Sequence, residues 1–480
     1  MANGTVLAVG IDGACWSLVD NWIDEGELPN LREIRDNGTW GELESCVPPV
    51  TCPAWKCYST SQNPGELGVF WWESLDIASK ESFTPSSRSF SHPELWDILN
   101  DAGVTTGVVG MPLTYPPKEV DGFMISGGPG APDHDFTYPE DVEDELKSKF
   151  DYTPRPTFPA DSEGDNEEEF AEKSIEQVDL DFKVAKHLYE KYDVDFLQVC
   201  SFEINAPLQH QFYDGEPTKK AWKIIDNHLG DLADEFEYVV IHSDHGTSEM
   251  DQQFFINSWL AQEGYLTRDR SFFERLADYG ITRDRLLGVL DTLRLREPLS
   301  NVQTLRNLGR RIPDSRGLFG EREGSAIFDK VLWGETDAVG LAQGPLYLNT
   351  DKLNEQEYET TRNKLVEEIE SIVDEKRDAP PIQQVFKKEE VYHGEYMDKA
   401  PDLVALDAPE YHNKGGIGKK ELFRKSDWRG NNARQGLHVI SGPGVDSARV
   451  DAEIYDVAPT ILSLFDLDPP SNLDGTPVLD

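Results

Sequence analysis

Val6-Leu7-Ala8-Val9-Gly10-Ile11-Asp12 decides the fold of this 480-residue chain. A run of apolar residues with no polar interruption reads as a strand buried on both faces, the pattern of a parallel sheet covered by helices. Its carboxylate comes where strand gives way to loop, the edge at which open α/β sheets hold their ligands. The same construction returns at Val239-Val240-Ile241-His242-Ser243-Asp244-His245-Gly246. Working outward, Val104–Gly110, Phe196–Cys200 and Tyr238–Ile241 read as further core strands. Leu28–Asn37 reads as a helix ending near Gly38, and Ala54–Ser61 as the start of another. Strands alternating with helices predict a mainly parallel sheet with helices on both faces.

Ninety acidic residues against 45 basic ones give a formal charge of −45. The acidity runs along the whole chain, and 22 Phe, 16 Tyr and 11 Trp mark it as a folding sequence. Such charge strains a compact state in dilute buffer, whereas in molar salt the Debye length falls to about 3 Å and screens it. The surface therefore reads as adapted to a high-salt cytoplasm, as in halophiles, with recruitment of cationic partners as the competing reading. The charge argues against a nucleic-acid polymer as partner, since phosphates need a basic footprint. Five cysteines without regular spacing predict free thiols in a reducing compartment. With no secretory signal and no apolar run near the ~20 residues that span a bilayer, a cytoplasmic protein is expected. The sequence leaves the oligomeric state open.

Two segments interrupt the α/β pattern. Asp161–Glu169 reads as a solvated acidic loop. Residues 265–322 are helical in period and locally basic, with twelve arginines, no lysine and eight acids. Arg268, Arg270, Arg275, Arg283 and Arg285 cluster upstream of the adjacent Arg310 and Arg311. We expect a helical cap at about 262–325 inserted into a core of 1–261 and 326–480. Its guanidinium groups are available either to a phosphorylated substrate or to acidic neighbours.

Two carboxylates and an imidazole, as in Asp12, Asp244 and His245, can hold a divalent ion and leave a position open for reaction. Thr51, in Val47-Pro48-Pro49-Val50-Thr51-Cys52-Pro53-Ala54-Trp55, offers a hydroxyl that such an ion would activate as a covalent nucleophile. Taken one at a time, these residues have plainer readings. An Asp closing a strand is often a turn former, and a lone His is more often structural. His242, His393 and His438 read as structural.

The combination resembles the type I phosphodiesterase and nucleotide pyrophosphatase family of the alkaline phosphatase superfamily. The Thr51 segment, with the following Asn63-Pro64-Gly65-Glu66-Leu67-Gly68-Val69-Phe70, is similar to that family's nucleophile segment. Tyr347-Leu348-Asn349, Ala400-Pro401-Asp402-Leu403 and Ile454–Leu462 resemble later family segments. The resemblance implies a three-layer α/β/α sandwich of alkaline-phosphatase type. It also implies Thr51 as nucleophile, liganding the metal together with Asp12, Asp244 and His245. Spacing to Pro53 gives the nucleophile role to Thr51 rather than Cys52, so a sulfatase-type formylglycine is not expected.

The family's second metal takes an Asp, a His four residues on, and a late His. Here Ala206 stands at the first position, His210 keeps the second, and Asn432 stands at the third, within Gly430-Asn431-Asn432-Ala433-Arg434-Gln435-Gly436. Alanine cannot ligate, and an amide oxygen is a poor zinc ligand. Three readings stay open. In the first, one ion suffices, as in the sulfatase and phosphoethanolamine-transferase branches, with His210, Lys56, Arg434 or His242 stabilising the transferring group. In the second, Glu203 or Asn205 rebuilds a second site with His210. In the third, the chain is a silent relative that binds phosphorylated ligands. The expectation is a zinc- or manganese-dependent hydrolase or transferase of small phosphate esters, diesters above all, with His210 as a second-site ligand. Asn432, Arg434 and Lys56 are expected to bind substrate, and a sulfatase-like esterase is the alternative chemistry.

Overall fold

The computed structural model describes residues 4–77, 79–128, 130–155, 167–269, 330–419 and 421–479. Its centre is a ten-stranded sheet. Gly122–Gly127, Thr106–Pro112, Phe196–Ser201, Val6–Ile11 and Tyr238–His242 lie side by side in that order, all parallel. Gln435–Ser441 then joins antiparallel between Tyr238–His242 and Gly38–Glu44. The uninterrupted apolar runs are the strands buried on both faces: every residue of Val6–Ile11 and of Phe196–Ser201 is buried.

Alternate residues of one strand enter different cores, as the two-residue period of a strand requires. Leu7, Val9 and Ile11 pack with the helices Trp16–Asp24, Pro29–Asp36, Glu167–Tyr192 and Glu216–Ala233. Val6 and Ala8 pack with Thr51–Thr60, Leu95–Asp101 and Val457–Leu464. A third apolar cluster lies under a smaller antiparallel sheet of Ala338–Gly340, Pro345–Leu348, Leu403–Asp407 and Ile382–Lys387. Asp402 ties this sheet together: it accepts from the Leu348 backbone N–H at 2.7 Å and from the Tyr358 hydroxyl at 2.6 Å. That gives the Ala400–Leu403 segment a structural task.

One long strand, Gly246–Phe255, connects the two regions. It pairs with Glu410–Lys414 in parallel and with Phe423–Lys425 and Gly430–Ala433 antiparallel. It begins one residue after His245, so the segment holding Asn432 hangs directly from the sheet edge that carries Asp244 and His245.

Two local expectations need correction. The helix expected from Ala54 starts at Thr51, because Val50 is extended (φ −115°, ψ 133°) and closes the preceding loop. Pro53 then falls in the first turn, where its missing N–H has no intrahelical partner to lose. Glu167, Glu168 and Glu169 are not loop but the first turn of Glu167–Tyr192, where carboxylates favour the helix dipole; 161–166 lie outside the described residues. Most of the expected cap, 270–325, also lies outside them, with Arg270, Arg275, Arg283, Arg285, Arg310 and Arg311. Its flanks meet: Asp269 N–H donates to Lys330 O at 2.7 Å and Leu332 N–H to Thr267 O at 2.9 Å. The chain thus leaves and re-enters the described structure at one point. Among the described residues no helix is long and apolar enough to cross a membrane.

Candidate active site

The parallel register builds the site. Gly10 pairs with His242, so Asp12 and Asp244, each two residues further on, emerge together at the same sheet edge. His245 follows. One ligand atom from each of Asp12, Asp244 and His245 lies within 4.8 Å of the others, and all three residues are buried. His245 Nε2 stands 3.5 Å from Asp12 Oδ1 and 3.3 Å from Asp244 Oδ2. Its Nδ1 lies 2.9 Å from Gly246 O. A carbonyl only accepts, so Nδ1 carries the proton and Nε2 turns its lone pair to the carboxylates.

The other carboxylate oxygens are satisfied: Trp55 Nε1–H donates to Asp12 Oδ2 at 3.0 Å, and Gly13 N–H to Asp244 Oδ1 at 3.2 Å. Gly13 reaches this position at φ +70°, a conformation that glycine adopts without strain. Asp12 Oδ1 and Asp244 Oδ2 remain buried with no hydrogen-bond partner among the described residues. Burial pushes the Asp12 carboxyl up to about 7, against the pull of the Trp55 N–H. Burial and then the charge of Asp12 raise Asp244 well above the usual carboxylate range, and burial drops His245 to about 3. Two orphaned carboxylate oxygens and an imidazole lone pair converging in a buried pocket could hold a divalent cation. The residues present fit a metal.

Thr51 opens the Thr51–Thr60 helix, with Oγ1 3.1 Å from His245 Nε2. The N–H groups of Thr51 and Cys52 precede the first intrahelical bond, Ala54 N–H to Val50 O, so they can meet an anion beside the hydroxyl. Burial drives the Cys52 thiol far above its ordinary value, which makes it a poor nucleophile.

The His210–Asn432 pair is closed on itself. Asn432 Nδ2 donates to Pro49 O at 2.8 Å, and that carbonyl fixes the orientation of the amide. Asn432 Oδ1 therefore faces His210 Nε2, 2.8 Å away, and Nε2 must carry a proton. Burial depresses the His210 ring to about 4, so it is a neutral donor with no lone pair at Nε2. Asp12, Asp244 and His245 are the only group of three or more acidic, His or Cys ligands that could hold a metal found among the described residues, and His210 is not part of it. Ala206 is exposed. Glu203 is buried, where burial and then Asp181 raise its carboxyl. Asn205 Oδ1 faces the Thr247 hydroxyl at 3.3 Å.

Lys56 is expected at substrate from the sequence. It is fully buried, and its ammonium pairs with Glu94, which also binds Lys118 at 2.8 Å. Five residues past Thr51 it lies about 140° around the helix from the hydroxyl. The guanidinium of Arg434 is paired with Glu44. His242 is buried against Tyr58 and Trp55, with ring centroids 4.1 and 5.6 Å away. His438 Nε2 lies 2.8 Å from Val450 O, and His393 is exposed beside Asp474.

Sequence reasoning missed Trp55, four residues after Thr51 and so on the same helix face. It also missed the aromatic and basic wall of the altered half. Trp428 lies 5.6 Å from the His210 ring and 6.3 Å from that of His412, with Lys414 Nζ 4.9 Å from its centroid. His412 and Lys414 alternate on one strand, Glu410–Lys414; that period of two was the available signal.

No curated protein matches the sequence. Two crystal structures of phosphonoacetate hydrolase from Sinorhizobium meliloti 1021 are similar in fold. With phosphonoformate bound the TM-score is 0.58, and with phosphonoacetate 0.55; each is 12% identical and the match covers 96% of this chain and 94% of the other. The sequence profile of type I phosphodiesterase / nucleotide pyrophosphatase matches residues 6–438, from the first strand through the Asn432 segment. This chain belongs to the type I phosphodiesterase / nucleotide pyrophosphatase family, whose members depend on metal.

Proposed function

We propose that this protein hydrolyses phosphate esters, diesters above all, through a covalent Thr51 intermediate, with one divalent ion held by Asp12, Asp244 and His245. The observation that carries the reading is the orphaned pair Asp12 Oδ1 and Asp244 Oδ2, facing the same Nε2 that touches Thr51. Two carboxylates and an imidazole suit zinc or manganese. When bound, the ion lowers the pKa of the threonine hydroxyl and offsets negative charge on the phosphoryl oxygens.

The chain's own groups do the rest. Thr51 Oγ1 bonds to phosphorus as the bond to the departing ester oxygen breaks. The proton lost by Thr51 is balanced by the one that oxygen takes to leave as an alcohol. Water then adds to phosphorus and restores the Thr51 hydroxyl. N–H groups at the start of the Thr51 helix hold a phosphoryl oxygen, and the neutral His210–Asn432 pair stands where the family has its second ion. We read the architecture as a three-layer α/β/α core of 1–261 and 326–480 with a helical cap at 262–325. The two cores on opposite faces of the sheet and the meeting of Asp269 with Lys330 support this.

The closed His210–Asn432 contact also favours a second reading, a silent relative that binds phosphorylated ligands. The deciding experiment assays metal-loaded wild type and Thr51→Ala in molar salt on bis(p-nitrophenyl) phosphate, p-nitrophenyl phosphate and p-nitrophenyl sulfate. We expect diester turnover in wild type and a loss on the order of 10³-fold or more in the variant. Undiminished turnover in Thr51→Ala removes the nucleophile. Binding of inorganic phosphate without turnover of any ester establishes the silent reading.

A further inference from the structure

Beside the altered half-site lies a cavity of about 170 Å³, walled by the Gly430–Ala433 strand and the end of Leu403–Asp407. Asn432 belongs to both: it lines the cavity and donates to Pro49 O, two residues before Thr51. The cavity is smaller than the roughly 300 Å³ at which pockets for drug-sized ligands begin, so it takes one substituent and not a whole nucleotide.

Its chemistry is selective. Among the described residues that line it none is aromatic, so a nucleobase finds no ring to stack on. The cation among them, Arg434, is paired with Glu44, so a second anionic group finds no uncompensated positive charge. What remains is hydroxyl, amide and carboxyl, with Ser248, Gln383, Gln384 and Asp407 among the lining and the Asn431 amide already bonded to Asp407, Tyr411 and His412. Asp407 Oδ2 accepts from Asn413 N–H at 3.0 Å and Asn431 Nδ2 at 2.9 Å, while Oδ1 is buried with no partner among the described residues. Burial lifts this carboxyl to about 7, so near neutral pH it donates as well as accepts.

We propose that this cavity receives one ester substituent of the phosphate, and that the substituent is a neutral polyhydroxylated group, a single sugar ring or a glycerol-type polyol, rather than a nucleoside. The inference rests on the reading of Thr51 as the reacting group. It is tested by titrating glucose 6-phosphate, glycerol 3-phosphate, thymidine 5′-phosphate and inorganic phosphate into the metal-loaded full chain in molar KCl. Wild type is compared with Asp407→Asn and Gln384→Ala; Gln384 is exposed, so its truncation spares the fold. We expect a polyol phosphate to bind at least tenfold more tightly than thymidine 5′-phosphate, and each variant to cut that ratio fivefold or more. The tighter of the two polyol phosphates distinguishes a ring from an open chain. Equal or tighter binding of thymidine 5′-phosphate overturns the proposal, as does a ratio that neither variant moves. Hydrolysis of bis(p-nitrophenyl) phosphate reports separately on the reaction: turnover without polyol preference removes the pocket alone, and polyol preference without turnover removes the hydrolase alone.

Discussion

Trp55 donates its indole N–H to Asp12 Oδ2 at 3.0 Å from the same helix whose first residue is Thr51. Thr51 and the indole donor sit one turn apart on one rigid element, so the helix cannot shift the threonine without also moving the group that aims the Asp12 carboxylate. Gly10 makes this possible. A Cβ there would come 2.6 Å from the Trp55 ring, inside any real contact distance. Trp55→Phe keeps most of the ring volume and removes the N–H. We expect metal affinity to fall about 10- to 100-fold, the usual consequence of losing a partner behind a ligand. Competition against a chelator of known affinity measures it, and an unchanged dissociation constant removes the role.

Metal binding should strengthen as pH rises through neutrality. Asp12 is held up to about 7 and Asp244 is raised with it, so below neutrality the ion must displace protons, and affinity gains up to tenfold per pH unit for each proton displaced. The sign for the metal-free protein is opposite. Between about pH 4 and 7 the unfolded chain has released the Asp12 proton while the folded one retains it. Stability therefore falls as pH rises through that window. Thermal melts and metal titrations at pH 5.5, 6.5, 7.5 and 8.5 check both; a metal affinity flat across this range means the carboxylates are already ionised.

The ligand cluster was legible because strand geometry is local. An apolar run says where a parallel strand ends, and Asp12, Asp244 and His245 stand just past two such ends. Helix phase was equally available: four residues from Thr51 returns to the same face and five does not, so counting along the helix separates Trp55 from Lys56. The fate of His210 was not available. Its Nε2 proton is fixed by Asn432, 222 residues away, and the Asn432 amide is oriented by Pro49, 383 residues away. Periodicity does not carry contacts of that range. For the same reason, nothing in the residues around Arg434 signals that Glu44 neutralises its charge.

A formal charge of −45 predicts a salt response. Between 0.1 and 1 M salt the Debye length shrinks from about 10 to about 3 Å. Repulsion among surface carboxylates then loses its reach, while the buried core is unaffected. We expect the melting temperature to rise steadily with KCl over this range, and to rise less in a variant with exposed acids such as Glu168, Glu190 and Glu367 replaced by Gln. A melting temperature that falls or stays level in wild type means that self-repulsion does not limit this fold.

The closed half-site makes the most demanding prediction. His210 is already present, but its Nε2 carries a proton because Asn432 offers it only an acceptor. Asn432→His removes that acceptor and frees a lone pair, and Ala206→Asp puts a carboxylate one helical turn before His210 on the Asn205–His210 segment. Together the changes complete an Asp-His-His set, which is enough for a four-coordinate ion with one position open. We expect the double variant to bind one more metal per chain than wild type, with the first site's affinity within a few-fold of its former value. Neither single change should suffice: Asn432→His alone leaves no anionic ligand, and Ala206→Asp alone leaves His210 bonded to Asn432. Metal analysis after gel filtration decides it. If the stoichiometry does not rise, the closure reflects more than these two side chains, and Trp428, packed against the His210 ring, is then the group that fixes the imidazole out of ligating position.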